Sequence, residues 1–101
     1  MYAELVTMHL GPGMKATAEM VADQLAPVYK ALQGFKGLVF IGDIEFGEYG
    51  CLSLWESREN AQALSGALKP RLKQLVQIAG ANPKIGLGTR RVFEVYEACL
   101  P

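Results

Sequence analysis

Residues 38–55 read LVFIGDIEFGEYGCLSLW, and this stretch decides the fold. Leu38–Ile41 is apolar on both faces of a strand, a pattern that is typical of an inner strand of a sheet. A polar, glycine-containing segment, Glu45–Gly50, then leads to Cys51–Trp55, whose residues alternate as an antiparallel partner requires. The stretch therefore predicts a β-hairpin whose first strand ends near Asp43.

A helix is predicted on each side of this hairpin. Before it, Lys15–Leu32 has apolar residues three or four positions apart: Ala18, Val21, Leu25, Val28 and Leu32. After it, Ser57 and Asn60 give the start signal of a helix with the apolar stripe Ala61, Leu64, Leu68, Leu72, Leu75 and Ala79. Proline disrupts helices, so we expect Pro27 to kink or shorten the first helix and Pro70 to bend or divide the second.

Two further strands, the first and the last in the chain, complete the pattern. Tyr2–Leu10 is rich in β-forming residues and is ended by Gly11-Pro12-Gly13, and Val92–Tyr96 follows a loop at Asn82–Thr89. The order βαββαβ predicts a ferredoxin-like α+β fold, a four-stranded antiparallel sheet with both helices on one face.

Composition limits the partners. The chain has 101 residues, 50% of them hydrophobic, and ten basic residues balance ten acidic ones, which predicts one domain spanning residues 1–101. Zero net charge disfavours a nucleic-acid or membrane-surface partner. No apolar run is long enough to span a bilayer, and the N-terminus does not resemble a secretory signal. We therefore expect a cytoplasmic protein.

The faces of the sheet predict a partner copy. Strands one, two and four carry apolar residues on both faces, for example Leu38 and Phe40 against Val39 and Ile41. Two helices can cover only one face, and a large exposed apolar patch usually marks a contact surface. The sequence therefore predicts a homodimer joined through the helix-free face of the sheet.

Several of these segments together resemble a known family. Gly11-Pro12-Gly13, the turn Gly34-Phe35-Lys36-Gly37 and the segment LWESRENA at 54–61 are similar to those of the antibiotic-biosynthesis-monooxygenase (ABM) group of dimeric α+β barrels. The resemblance covers nearly the whole chain. It implies a homodimer with a small pocket between sheet and helices in each subunit, and oxygenation of an aromatic or quinol-type molecule without metal or flavin.

The resemblance also assigns residues. Trp55 matches the pocket tryptophan of these oxygenases, but Cys51 stands where they carry an asparagine, and a thiol is the weaker hydrogen-bond donor. A haem-degrading branch carries an axial histidine on helix two, where this chain has none, so haem is not expected. Two cysteines, Cys51 and Cys99, and one histidine also disfavour a metal site, so no cofactor is predicted.

The remaining candidates have structural alternatives. His9 is the one residue that ordinarily titrates near neutral pH, and either His9 or Tyr29 is a candidate for proton transfer. Thr7, Cys51 and Ser53 are small polar groups suited to an apolar pocket, or to a satisfied hydroxyl in the core. Arg71 either meets an anionic ligand or belongs to the solvated face of helix two.

Three functions fit these observations. The chain is a cofactor-independent monooxygenase, a non-catalytic module that binds a small aromatic molecule, or a structural dimer. In the first two, Trp55 and the residues beside it on its strand form the wall of the pocket.

Overall fold

The computed structural model describes residues 1–78 and 87–97, and its elements follow the predicted order βαββαβ. The strands are β1 (Tyr2–His9), β2 (Phe35–Asp43), β3 (Glu48–Trp55) and β4 (Leu87–Glu94), and the helices are α1 (Lys15–Lys30) and α2 (Arg58–Ile78). The predicted stripe residue Ala79, the loop over 82–86 and Cys99 lie outside the described residues, as do the side chains of Leu72 and Leu75.

The four strands form one antiparallel sheet in the order β2-β3-β1-β4, which is the ferredoxin-like arrangement that the sequence predicts. The hairpin of β2 and β3 is confirmed, with Phe40 opposite Cys51. The inner position predicted for Leu38–Ile41 is wrong, because β2 lies at one edge of the sheet and, among the described strands, pairs only with β3. On the other side of β3, Val6 of β1 lies opposite Cys51 and Glu4 lies opposite Ser53. Directly opposed residues share a face, so these side chains all lie on one side of the sheet.

Both helices cover that side of the sheet, and the core lies between them and the strands. The buried cluster combines helix residues with two residues of β3: Val21, Leu25, Tyr29, Ala61, Leu64, Leu68, Cys51 and Trp55. Ser57 caps α2 as predicted, because its hydroxyl accepts a hydrogen bond from the backbone N–H of Asn60 at 3.1 Å. Of the predicted apolar stripes, this cluster therefore contains Val21 and Leu25 of α1 and Ala61, Leu64 and Leu68 of α2.

The opposite face of the sheet carries no helix of the described chain, and its centre is apolar. Val39, Ile41, Leu52 and Phe93 are each 37% to 55% exposed on it. The guanidinium of Arg91 lies 4.8 Å from the centre of the Phe93 ring at one edge. This helix-free face is thus an apolar surface without an intramolecular cover in the described residues.

Several strand and helix boundaries differ from the sequence prediction: β2 begins at Phe35 and β3 at Glu48, before the predicted Leu38 and Cys51. Strand β4 begins at Leu87 and ends at Glu94, earlier than the predicted Val92–Tyr96, because it pairs with β1 from Met8 back to Tyr2. Tyr96 lies beyond the sheet and is 98% exposed. Helix α2 runs through Pro70 without division, and α1 continues three residues past Pro27 before it ends at Lys30.

Two turns meet at one end of the sheet. The backbone N–H groups of Leu10 and Gly11 both donate to the carbonyl oxygen of Gly47, at 2.8 and 3.2 Å. Gly47 has a φ of +78°, and a Cβ atom there would lie 2.2 Å from the carbonyl carbon of Gly11. Only glycine fits this close approach, which joins the β2–β3 turn to the turn before α1.

Candidate functional site

A cavity of about 300 Å³ lies between α1 and the sheet. Its walls are mainly apolar and come from β1, β2, β3 and both helices: Val6, Met8, Val21, Leu25, Phe40 and Leu68. Small-molecule sites are typically concave and apolar with a few placed polar groups. The cavity has this character, and it is at the small end of the usual size range of roughly 300 to 1,000 Å³.

Tyr29 and Cys51 provide two polar groups of the cavity wall. Tyr29 is the residue of α1 that lies one turn after Leu25, and its ring is almost fully buried. Its hydroxyl lies within hydrogen-bonding reach of the Cys51 thiol, which is also buried. The two predicted candidates on α1 and β3 are therefore brought together in the cavity.

Burial keeps both groups protonated. Desolvation raises the pKa of the Cys51 thiol to about 11, and the hydrogen bond from Tyr29 opposes this only in part. Desolvation, together with the neighbouring Cys51, raises the pKa of the Tyr29 hydroxyl far above its usual range. At neutral pH the pair is a neutral thiol and a neutral phenol, so it can donate hydrogen bonds but cannot act as a base or a thiolate nucleophile.

Tyr49 provides a third polar group, which the sequence analysis did not single out. It precedes Cys51 by two residues on β3, so both side chains lie on the helix-covered face and both line the cavity. Its hydroxyl oxygen is buried and has no hydrogen-bond partner among the described residues. The alternation that placed Cys51, Ser53 and Trp55 on one face extends to Tyr49 and was the signal that could have found it.

Charged residues stand where the cavity opens to solvent. Lys15 and Glu19, one turn apart on α1, line it and are both well exposed, with Nζ and Oε1 3.9 Å apart. Ile44 from the β2–β3 turn lies at the same opening and is 47% exposed. The opening therefore carries a neutralised ion pair and an apolar side chain.

A buried ion pair lies on the same face of the sheet, close to Tyr29 and Cys51. Glu4 is fully buried, and its carboxylate binds Arg90 of β4 through both oxygens, with Nη2 and Oε2 3.2 Å apart. Arg90 also donates to the carbonyl oxygens of Ala61 and Gln62 at 3.2 and 3.3 Å. Desolvation raises the pKa of Glu4, and Arg90 opposes this rise through its hydrogen bond and its charge. The pair joins β1, β4 and α2.

Trp55 does not line the cavity, in contrast to the sequence prediction. Its ring is fully buried between Tyr29 and Phe35, with ring centres 6.3 and 5.8 Å away. The indole N–H donates to the hydroxyl of Ser53 at 2.7 Å, and that hydroxyl in turn lies 3.4 Å from the carbonyl oxygen of Glu4. Trp55 and Ser53 are therefore hydrogen-bonded to each other in the core, and neither is among the residues that line this cavity.

Three further candidates lie away from the cavity. His9 and Thr7 have the register of the helix-free face, and exposed His9 packs edge-on against Phe46 with ring centres 5.8 Å apart. Arg71 donates to Gln24 at 2.5 Å and to Gln74 at 3.3 Å, so it joins α2 to α1 on the outside. The strand alternation explains the first two, because odd-numbered residues of β1 face away from the helices.

Residues 1–78 and 87–97 contain no group of three or more His, Cys, Asp or Glu side chains that could hold a metal ion. Neither described helix is both long enough and apolar enough to cross a bilayer.

Several solved structures of other proteins share the fold of this chain. No family model and no curated protein matches the sequence. A mutant of MhuD with two manganese protoporphyrin IX bound per active site matches over 100% of both chains, with a TM-score of 0.71 and 20% identity. A monooxygenase from the gene ActVA-Orf6 of Streptomyces coelicolor, in complex with nanaomycin D, covers 99% of this chain and 91% of its own, with a TM-score of 0.66 and 19% identity.

A third solved structure belongs to SnoaB, a cofactor-independent oxygenase from Streptomyces nogalater. It covers 96% of this chain and 95% of its own, with a TM-score of 0.67 and 12% identity. Other structures with the same fold are described as antibiotic biosynthesis monooxygenases. At the level of fold, the resemblance to the ABM group is therefore confirmed.

Proposed function

We propose that this chain is a small cofactor-independent monooxygenase of the ABM type, acting on an aromatic or quinol-type molecule held in the cavity under α1. The observation that carries the proposal is the cavity itself: apolar walls with two neutral donors, Tyr29 and Cys51, brought together inside it. Its fold is shared with a cofactor-independent oxygenase, which supports the assignment.

In the proposed reaction the substrate supplies all four electrons that dioxygen takes up. For a ring methylene that is conjugated to a carbonyl through the flanking aromatic rings, one oxygen atom becomes a new carbonyl oxygen, and the other leaves as water with the two methylene hydrogens. Loss of the first proton leaves negative charge on a substrate oxygen. Tyr29 stabilises that charge by turning its O–H from Cys51 to the substrate oxygen, because a neutral donor in an apolar site interacts strongly with a developing oxyanion.

The cavity also explains why the substrate has to ionise readily by itself. His9, a predicted base, lies on the other face of the sheet, and Tyr29 and Cys51 remain protonated at neutral pH. We therefore propose that the first proton passes to water. The same observation favours the second candidate function, a module that binds the aromatic molecule without oxidising it.

Haem is not the group we propose for this cavity. None of its described lining residues is a histidine, and the Tyr29 phenol and Cys51 thiol stay protonated, whereas iron binds the anionic forms. Tyr29 and Cys51 therefore do not fit as ligands of a haem iron, although the fold is shared with a protein that holds a metalloporphyrin.

Oxygen uptake with a hydroxylated anthrone tests the proposal. We expect Tyr29→Phe to lower kcat/KM by about 100-fold, the usual size of losing one oxyanion donor. The rate of the unaltered protein is expected to rise with pH as the substrate loses this first proton, since Tyr29 and Cys51 do not titrate near neutral pH. Tyr96→Phe, at a 98% exposed site, is the matched control and should retain full activity.

Saturable binding of the anthrone with oxygen uptake no faster than the uncatalysed rate would contradict the monooxygenase proposal and support the binding module. Equal rates for the Tyr29 and Tyr96 variants would contradict the assigned role of Tyr29.

We also propose that the whole chain acts as one domain and forms a homodimer through the helix-free face. Leu52 lies at the centre of this apolar face, opposite Leu5 on β1 and Val39 on β2. A second copy placed over it would remove the exposed apolar side chains from water, at roughly 25 cal/mol per Å² of apolar surface. A cytoplasmic location stays a prediction from the sequence, to be checked by cell fractionation.

Leu52→Glu is expected to convert the dimer into monomers at micromolar concentration, because a charge buried without a partner costs several kcal/mol. Light scattering should give about twice the chain mass for the unaltered protein and the chain mass for the variant. Ala63→Glu adds the same charge at an exposed position of α2 and should leave the dimer intact. If the unaltered protein is monomeric at the same concentration, the result contradicts the proposed homodimer.

A further inference from the structure

Phe40 is a partly exposed aromatic residue in the wall of the cavity. It lies on β2 opposite Cys51, so its side chain is on the helix-covered face of the sheet. In the row of residues that crosses the sheet here, Val6 and Cys51 are 7% and 5% exposed, whereas Phe40 is 38% exposed. The difference follows from position, because Val6 and Cys51 lie on the inner strands and Phe40 lies on an edge strand.

The Phe40 ring packs against a buried ring. Its plane is at 84° to the ring of Tyr29, and the two ring centres are 6.4 Å apart. Near-perpendicular contacts of this kind stabilise aromatic pairs. Since Tyr29 is almost fully buried, the pair consists of an inner ring that the core encloses and an outer ring that solvent reaches.

Helix α1 contributes two small side chains to the same cavity. Ala18 and Ala22 are one turn apart on the helix, and both line the cavity. Their methyl groups leave open the space that longer side chains would fill. Because Phe40 lines this space and more than a third of its surface is accessible, a ligand in the cavity can contact the ring.

Covering the Phe40 ring favours one class of ligand. Any apolar ligand gains free energy by removing the exposed part of the ring from water. An aromatic ligand also gains the offset-stacked or edge-on contact between two rings, which a saturated ring of similar size cannot make. Val6 and Cys51 are already buried, so they add little to this difference.

We propose that Phe40 is the residue by which the cavity distinguishes aromatic from saturated ligands, and that a ring of the ligand covers the exposed part of the Phe40 ring. The inference rests on the proposed function for its choice of an aromatic ligand. It adds the residue that determines the preference, at a position that the sequence analysis did not select as a site residue.

Two probes with the same carbon skeleton test the preference. 1-Naphthol and decahydro-1-naphthol each carry one hydroxyl on two fused six-membered rings, but only 1-naphthol is aromatic, and calorimetric titration measures both. The unaltered protein is expected to prefer 1-naphthol. Phe40→Leu keeps an apolar side chain without a ring and should reduce that preference about three- to tenfold, the size of one aromatic contact. Phe46→Leu, at a 63% exposed position that does not line the cavity, is the matched control and should leave the preference unchanged.

A measurement on the unaltered protein needs no substitution. The chain has four phenylalanines, and of these only Phe40 lines the cavity. With isotope-labelled phenylalanine, NMR titration with 1-naphthol should therefore shift the ring signals of Phe40, assigned through its contact with Tyr29, more than those of the other three. If Phe40→Leu does not fold, this measurement alone decides whether the ligand covers the ring.

The outcomes distinguish this inference from the proposed function. An unchanged preference in folded Phe40→Leu, an equal loss in Phe46→Leu, or Phe40 signals that do not move would overturn the role of Phe40, whatever the oxygen-uptake result. Failure of both probes to bind the unaltered protein would overturn it too. Loss of preference in Phe40→Leu alone supports it even if no substrate is oxidised, in which case the cavity is a binding site for aromatic molecules.

Discussion

Replacing Arg90 with methionine is expected to lower the free energy of unfolding by about 3 kcal/mol at pH 8. Glu4 is fully buried, and Arg90 is the cation that binds both of its oxygens. Breaking a buried pair from one side costs about 3 to 5 kcal/mol, because the remaining charge has lost its compensation. The lower end applies here, since the Arg90 side chain is 33% exposed and solvent screens part of the interaction.

The loss should depend on pH in a defined direction. Burial raises the pKa of Glu4 in the folded protein, and without Arg90 nothing in the ion pair opposes that rise. A carboxyl group with a raised folded pKa contributes its stability below its unfolded pKa of about 4.3, and loses it as pH rises through the folded value. Urea unfolding should therefore show a smaller difference between variant and unaltered protein near pH 4.5 than at pH 8.

A second substitution gives the control. Adding Glu4→Gln to Arg90→Met removes the buried charge, so the double variant should be more stable at pH 8 than Arg90→Met alone and should lose most of the pH dependence. A difference for Arg90→Met that is the same at pH 4.5 and pH 8 would show that Glu4 is not the group concerned.

Replacing Trp55 with alanine is expected to cost about 3 to 5 kcal/mol, the usual range for deleting a large aromatic from a core. The ring is fully buried between Tyr29 and Phe35, and its loss leaves the Ser53 hydroxyl without its indole donor. Phe46→Ala, which removes an aromatic that is 63% exposed, is the matched control and should cost well under 1 kcal/mol.

Trp55→Phe separates the core role from a pocket role. It keeps an aromatic ring and loses only the hydrogen bond to Ser53, so the protein should stay folded with a modest loss of stability. Because Trp55 does not line the cavity, binding of 1-naphthol to this variant should stay within about threefold of the unaltered protein. A loss of binding much larger than threefold would instead indicate that Trp55 lines the cavity.

The order of the elements could be predicted from the sequence because it depends on local patterns. The stretch at 38–55 predicts the hairpin, and apolar residues three or four positions apart predict both helices. The start of β4 could not be predicted in this way. It depends on pairing with β1, where Met8 lies opposite Leu87, 79 positions further along the chain, and local alternation around Phe93 gave only the second half of the strand.

The candidate site was predicted only in part, because the alternation of strand residues defines the face on which a side chain lies but not its surroundings along that face. Cys51 and Tyr29 were named and do meet in the cavity. Cys51, Ser53 and Trp55 were correctly placed on one face, but the sequence does not show where along that face the space remains open. The space lies toward Tyr49, while α2 and Phe35 fill the volume around Trp55.

The paired turns at Gly11 and Gly47 decide how a molecule reaches the cavity. One turn leads directly into α1, which carries Lys15, and the other carries Ile44, so the two turns support opposite sides of the opening. Backbone hydrogen bonds at 2.8 and 3.2 Å join them. The entrance is therefore a fixed aperture, and its width depends on turn length. Lengthening either turn by one residue would be the direct way to engineer a chain that admits larger molecules.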